Sequence, residues 1–152
     1  MFRLLRRLLP PTPLARKLSA QSILFAVGEG VFITGNAVFF TQIVGLSAAQ
    51  VGLGLSISGV VVFGLSVPMG KLADRVGPKR MWALSALLEA CLYLAYPWIR
   101  GFVMFTAILV ALAIVGAGGH TGRGAYTIDA FPREERVRSM AFMRSALNIG
   151  FT

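Results

Sequence analysis

Residues Gly70-Lys71-Leu72-Ala73-Asp74-Arg75-Val76-Gly77-Pro78-Lys79-Arg80, GKLADRVGPKR, put four basic residues and one carboxylate into a short, glycine-bracketed stretch. Long runs with hardly any charge lie on both sides of it. The chain has 152 residues, of which 56% are hydrophobic and only 14% charged, with a mean hydropathy of +0.73. A soluble domain carries more charge than this. The stretch therefore reads as a polar link between two segments whose solvent is lipid.

Working outward, an apolar run of 18 residues or more predicts a membrane-spanning helix. Four such spans are expected, at about 22–46, 48–69, 81–99 and 101–126, with a fifth helix starting near Met140. Glu29 is the single charge in the first span and Glu89 in the third; the fourth is uncharged until His120 and Arg123. The first run continues through Phe39 and Phe40 to Ile43, too long for the core of a cleaved signal. Ser47 and Gln50 have capping-box spacing ahead of the second span. Pro97 closes the third, and Pro132 marks a later helix start. The expected fold is an all-α polytopic membrane helix bundle, with residues 1–19 a basic tail and 20–152 the bundle.

The basic residues orient it. Arg3, Arg6, Arg7, Arg16 and Lys17 precede the first span. Lys71, Arg75, Lys79 and Arg80 lie between the second and third, and Arg133, Arg136 and Arg138 follow the fourth. These alternate segments hold twelve of the fifteen basic residues, which places them and the N-terminus in the cytoplasm. The net charge of +9 thus serves topology rather than nucleic acid. The tail, alternating basic residues with leucine, also suits an anionic membrane surface. Cys91 is expected to be a small buried hydrophobe, and one cysteine with one histidine makes no metal site. No cofactor is expected.

Topology alone needs no Asp74, Gly70 or Gly77. An aspartate at the end of a span is costly unless it caps or pairs, and Arg75, Lys79 and Arg80 are near in sequence. Gly70 is expected to admit a neighbouring helix, and Gly77 a turn with positive φ. The pattern G-x-L-a-D-r-x-G-r-k resembles the cytoplasmic signature between helices two and three of the major facilitator superfamily. Gly70, Leu72, Ala73, Asp74, Arg75, Gly77, Lys79 and Arg80 carry the match, and Pro78 departs from it where the family has a basic residue. The resemblance extends to a glycine-rich fourth span (Gly116, Gly118, Gly119, Gly122), then Asp129, then Pro132, Glu134, Glu135 and Arg136, then Asn148 and Gly150. It implies a transporter of twelve helices, of which this chain looks like the first third. It also implies that Asp74, Arg75 and Asp129 gate transport by latching the outward-open state.

Charge within the spans marks functional candidates, because a carboxylate in hydrocarbon costs a few kcal/mol at the least. Glu29 stands about 10 Å into the first span at 1.5 Å per residue, and Asn36, seven residues on, shares its face. Gly28 and Gly35 are expected to let that helix pack closely. In the resembling family helices one and four line the cavity, so Glu29 is a candidate proton or substrate site, with Asn36 beside it. Glu89, with Tyr93 and Tyr96 on its face, is a weaker relay candidate. Arg123 meets either an anionic group in the cavity or the headgroups. Arg144 and Asn148 share a face of the fifth helix, and Gly118-x-x-x-Gly122 and Gly54-x-x-x-Ser58 are expected packing surfaces.

The implied function is secondary active transport of small molecules by alternating access, proton-coupled and in the efflux direction, in the plasma membrane. The implied partners are the bilayer, a small substrate, protons and the missing C-terminal helices. Two alternatives stand beside it: a small self-assembling four-helix exporter, and a membrane anchor or assembly subunit without transport. An enzyme is not expected, since no nucleophile, paired-aspartate or metal pattern falls in the spans.

Overall fold

The computed structural model describes residues 12–150, and the regular structure among them is entirely helical. Its helices are α1 (Pro13–Val38), α2 (Ala48–Val76), α3 (Pro78–Leu94), α4 (Gly101–Ala130) and α5 (Arg133–Gly150). A π-helical turn, Phe39–Ile43, prolongs α1, and a 3₁₀ turn, Tyr96–Trp98, follows α3. In hydrocarbon every backbone N–H and C=O must be satisfied within the segment, which leaves helices as the form these apolar runs can take. Three of them, Pro13–Ile43, Ala48–Val76 and Gly101–Ala130, are long and apolar enough to cross a membrane. Their outer faces suit lipid: Leu24, Phe63 and Val103 are 76%, 83% and 81% exposed.

Helix boundaries depart from the sequence expectation wherever a cap outweighs hydropathy. α1 starts inside the expected tail, because the Ala15 N–H donates to Thr12 Oγ1 at 3.1 Å and Pro13 suits the first helical position. Arg3, Arg6 and Arg7 lie outside the described residues. α2 runs on to Val76 and α3 opens at Pro78, so the charged stretch is almost wholly helical and Gly77 alone breaks it. α3 has 17 residues and stops at Leu94, short of the expected Ile99. Pro97 lacks the N–H that would continue the α-helical bonding, and the chain tightens into the 3₁₀ turn Tyr96–Trp98. Tyr96 thus lies beyond the end of α3, with its ring centroid 5.8 Å from that of Tyr93. α5 starts at Arg133, seven residues before Met140, with Glu134 and Glu135 in its first turn, where carboxylates favour the positive helix end. The Pro132 carbonyl accepts from the Glu135 and Arg136 N–H groups at 3.1 and 3.0 Å. The capping box of α2 forms as expected: the Ser47 N–H donates to Gln50 Oε1 at 2.9 Å, and the Gln50 N–H to Ser47 Oγ at 3.2 Å.

The chain forms two compact units, one of residues 37–126 and one combining the stretches up to Asn36 and from Thr127. In the second, α1 buries Ala15, Leu18, Ser22 and Ala26, and α5 buries Ser139, Met143 and Ala146. Each set follows helical spacing and forms one stripe. In the first, Phe40, Leu46, Ile99 and Phe105 make a buried cluster. It lies at the end of the unit away from the charged stretch. The rings of Phe40 and Phe105 are 4.4 Å apart, those of Phe40 and Tyr96 5.5 Å, and those of Phe39 and Tyr96 6.2 Å. These separations lie within or just below the ~4.5–7 Å range that aromatic pairs prefer.

Gly54 of α2 faces this cluster, and a Cβ there would stand 2.5 Å from Phe105 Cε1. Phe105 is fully buried against Phe40 and has nowhere to turn. Gly54→Val is expected to destabilise the protein by about 1–3 kcal/mol, the usual cost of overpacking. Unfolding in mild detergent measures it, with Gly52→Val as the comparison, since nothing stands within 4 Å of Gly52. Equal stability of the two variants would show that the cluster yields.

Candidate functional site

The charged stretch is built around a single residue. Gly77 adopts φ 91°, ψ 134°, a backbone conformation that side-chain-bearing residues rarely reach. Its N–H donates to the Ala73 carbonyl and its carbonyl accepts from the Met81 N–H, both at 3.0 Å. One glycine thus closes α2 and opens α3. Pro78 follows at the first position of α3, where its fixed φ and missing N–H cost nothing. The departure from the family pattern at this position is accordingly a helix start. Asp74, Arg75, Lys79 and Arg80 are exposed, while Ala73, just before them, is buried.

α4 meets the start of α3 through its glycines. A Cβ at Gly122 would stand 2.9 Å from both the Pro78 carbonyl oxygen and the Trp82 nitrogen. Cβ atoms at Gly118 and Gly119 would stand 3.1 Å from Ser85 Oγ and 3.2 Å from Ser85 Cβ. At Gly116 the nearest atom is Glu89 Oε1, at 3.0 Å. The expected Gly118–Gly122 packing surface is therefore real, and so is that of Gly54 and Ser58, both buried. The close approach expected at Gly70, Gly28 and Gly35 is not made: nothing stands within 4 Å of a Cβ at any of them. The helix crossing that needs bare backbone lies beyond Gly77, between α3 and α4.

Of the candidate residues, the structure brings Arg123 onto Trp82, with its guanidinium carbon 5.9 Å from the ring centroid. Tyr126 lies on the same indole, centroid to centroid 5.8 Å. Glu89 sits half-buried on α3 with its carboxylate against α4 at Gly116. Glu29 and Asn36 are both half-buried on α1. Asp129 is exposed near the end of α4. Glu29, Asn36 and Asp129 belong to one compact unit, and the charged stretch with Arg123 and Glu89 to the other. Cys91 is exposed rather than buried, because the α3 surface that carries it faces outward from the helix contacts. Among the described residues no group of three His, Cys, Asp or Glu could hold a metal ion.

Sequence reasoning missed Trp82, Ser85 and Tyr126. A tryptophan four residues past a helix-starting proline, at the edge of a basic stretch, was the available signal. The pairing of Trp82 with a residue some forty positions away leaves no local trace.

Long apolar helices joined by short links, with bare glycine backbone at the helix crossing, define a multi-pass α-helical membrane protein. The sequence model of the Major Facilitator Superfamily matches residues 18–152, and the chain belongs to that family of transporters. The phosphoglycerate transporter protein of Salmonella typhimurium is 35% identical over 107 residues, covering 69% of this chain and 23% of that protein. The probable L-galactonate transporter of Escherichia coli is 30% identical over 107 residues, covering 70% of this chain and 23% of its own length. The chain thus spans about a quarter of the length of these curated relatives. No solved structure matches it.

Proposed function

We propose that this chain belongs to a secondary active transporter that moves small organic anions across the plasma membrane by alternating access, coupled to protons. The observation that carries the coupling is Glu29, a half-buried carboxyl well inside the apolar length of α1. A group held there at the cost of desolvation is a candidate for taking and releasing a proton. The anion class draws on the relatives, both named for anionic substrates. Asn36, on the same helical face as Glu29, is the proposed neighbouring substrate contact, and Glu89 a second carboxyl at the α3–α4 contact.

Family resemblance supplies the remaining roles. Asp74 and Arg75, with Gly70, Gly77, Lys79 and Arg80 shaping the stretch and Asp129 as a further member, form the latch of the outward-open state. Helices beyond those described complete the cavity, with one bundle rocking against the other around a midplane site. The N-terminus is cytoplasmic and efflux is the proposed direction. The family match over residues 18–152 speaks against a small self-assembling exporter or a passive anchor.

The test uses the full-length protein in proteoliposomes, with labelled 3-phosphoglycerate and L-galactonate and an imposed pH gradient. A gradient-driven flux is expected in the wild type. Glu29→Gln is expected to abolish the gradient's effect while leaving exchange at equal pH. Wild-type flux indifferent to pH would sink the coupling, and flux of neither anion would sink the substrate class.

A further inference from the structure

Arg144 stands inside α5 with no part in the proposed coupling or latch. On the reading of this chain as part of an anion transporter, we infer that Arg144 binds the substrate's anionic group, a carboxylate or a phosphate, on a polar face of α5 that lines the water-accessible passage.

Depth is the first argument. Arg133, Arg136 and Arg138 mark the basic end of α5, and Arg144 lies 11 residues past Arg133, about 16 Å at 1.5 Å per residue. That is half of a roughly 30 Å hydrocarbon core. Among the described residues, every other arginine or lysine lies within two turns of the basic end of its helix, or is Arg100 in the link between α3 and α4. A cation near a helix end reaches the headgroups; one at mid-helix that met hydrocarbon would carry one of the largest transfer costs of any side chain.

Arrangement is the second. Ser139, Met143 and Ala146 form the buried stripe of α5. Val137, Ala141, Arg144 and Asn148 form the exposed stripe on the opposite side, with Ser145 beside it; their spacing of four, three and four residues keeps them on one face. The spans α1, α2 and α4 expose large apolar side chains, Leu24, Phe63 and Val103 among them. The middle of α5 instead exposes an arginine, a serine and an asparagine within five residues. Polar residues within a membrane bundle face its interior or a water-filled cavity, so this stripe is the one that meets the passage.

Chemistry is the third. Among the described residues no hydrogen bond, ion pair or ring contact engages Arg144. The residues three and four away along α5 are Met140, Ala141, Leu147 and Asn148, so no carboxylate one turn away neutralises it. Glu29, the other charge well inside a helix of the same unit, repels an anion when ionised. An anion entering the apolar length needs a compensating cation there. The guanidinium supplies it, with paired N–H donors that match the two oxygens of a carboxylate or a phosphate.

The experiment uses the full-length protein in proteoliposomes and reads initial rates against concentration for labelled L-galactonate, which carries a carboxylate, and labelled 3-phosphoglycerate, which carries both groups. Arg144→Gln is expected to raise KM at least about tenfold, the loss of a charge-assisted pair, with an unchanged unfolding midpoint. Arg144→Lys keeps the charge, loses the planar fork and is expected to fall between. Arg133→Gln, which removes an exposed charge from the start of α5, is expected to keep the wild-type KM. A rise for both anions assigns the carboxylate to Arg144; a rise for 3-phosphoglycerate alone assigns the phosphate. Wild-type KM in Arg144→Gln for every anion carried overturns the inference and leaves the transport reading standing, whereas a wild type that carries neither anion ends both. If Arg144→Gln fails to fold, Ala141→Cys in a Cys91→Ser background decides, since Ala141 shares the exposed stripe and leaves the arginine in place. It is expected to react with a charged, membrane-impermeant thiol reagent. No reaction from either side of the vesicle sets the stripe against lipid and overturns the inference.

Discussion

Gly122→Leu is expected to abolish the α3–α4 contact and, with it, stable folding of the unit formed by residues 37–126. The position has no room for one carbon. A Cβ would meet the Pro78 carbonyl oxygen and the Trp82 nitrogen, each at 2.9 Å, and Met81 Cβ at 3.3 Å. The first two are backbone atoms at a helix start and cannot swing aside as a side chain can. The cost is expected at or above the top of the roughly 1–3 kcal/mol range for overpacking. Gly124→Leu is the matched control: it is two residues on in the same helix, exposed, with nothing within 4 Å. Denaturation of the two variants in detergent decides the matter. If Gly122→Leu unfolds no earlier than Gly124→Leu, the α3–α4 crossing is looser than described.

Asp74→Asn is expected to cut transport by roughly tenfold, within the range by which one site biases a two-state equilibrium, while leaving the protein folded. Asp74 is exposed, so replacing it with an isosteric amide creates no cavity and no clash. What it removes is charge. On the proposed latch, that charge holds one of the two access states, and its loss shifts their populations. Flux in proteoliposomes beside an unfolding curve separates the two effects. Asp74→Asn carrying substrate at the wild-type rate would remove the stretch from gating and leave it a topology signal. Equal loss of stability and flux would make it a folding residue.

Most of the fold was legible along the chain, because its causes are local. Three of the four apolar runs, the Ser47–Gln50 cap and the positive φ at Gly77 each depend on a few neighbouring residues, and each appears as a spanning-length helix, a capping box or a left-handed turn. Errors came where two local signals competed. Charge marked the end of α2 at Gly70, but no residue from Lys71 to Val76 breaks a helix, and α2 continued through Lys71, Asp74 and Arg75 to Val76. Basic residues suggested a link at 133–138, yet Pro132, Glu134 and Glu135 make a helix start. The candidate site was legible as a set of residue types and not as an arrangement. Glycines at 54, 116, 118, 119 and 122 meet a neighbour, while those at 28, 35 and 70 do not. Their identity alone carries no hint of which helix lies opposite.

By itself, then, the amino-acid order determined that lipid surrounds this chain, how many helices it forms, and that its basic residues collect in alternate links between the spans. Those properties follow from transfer free energies and caps, which act residue by residue. Tertiary structure alone decided that Arg123 lies on Trp82, that the Glu89 carboxylate rests against Gly116, and that Tyr96 meets Phe39 and Phe40. Each of those contacts joins residues on different elements. Their partners are set by how closely helices approach, and that depends on every side chain along the crossing at once.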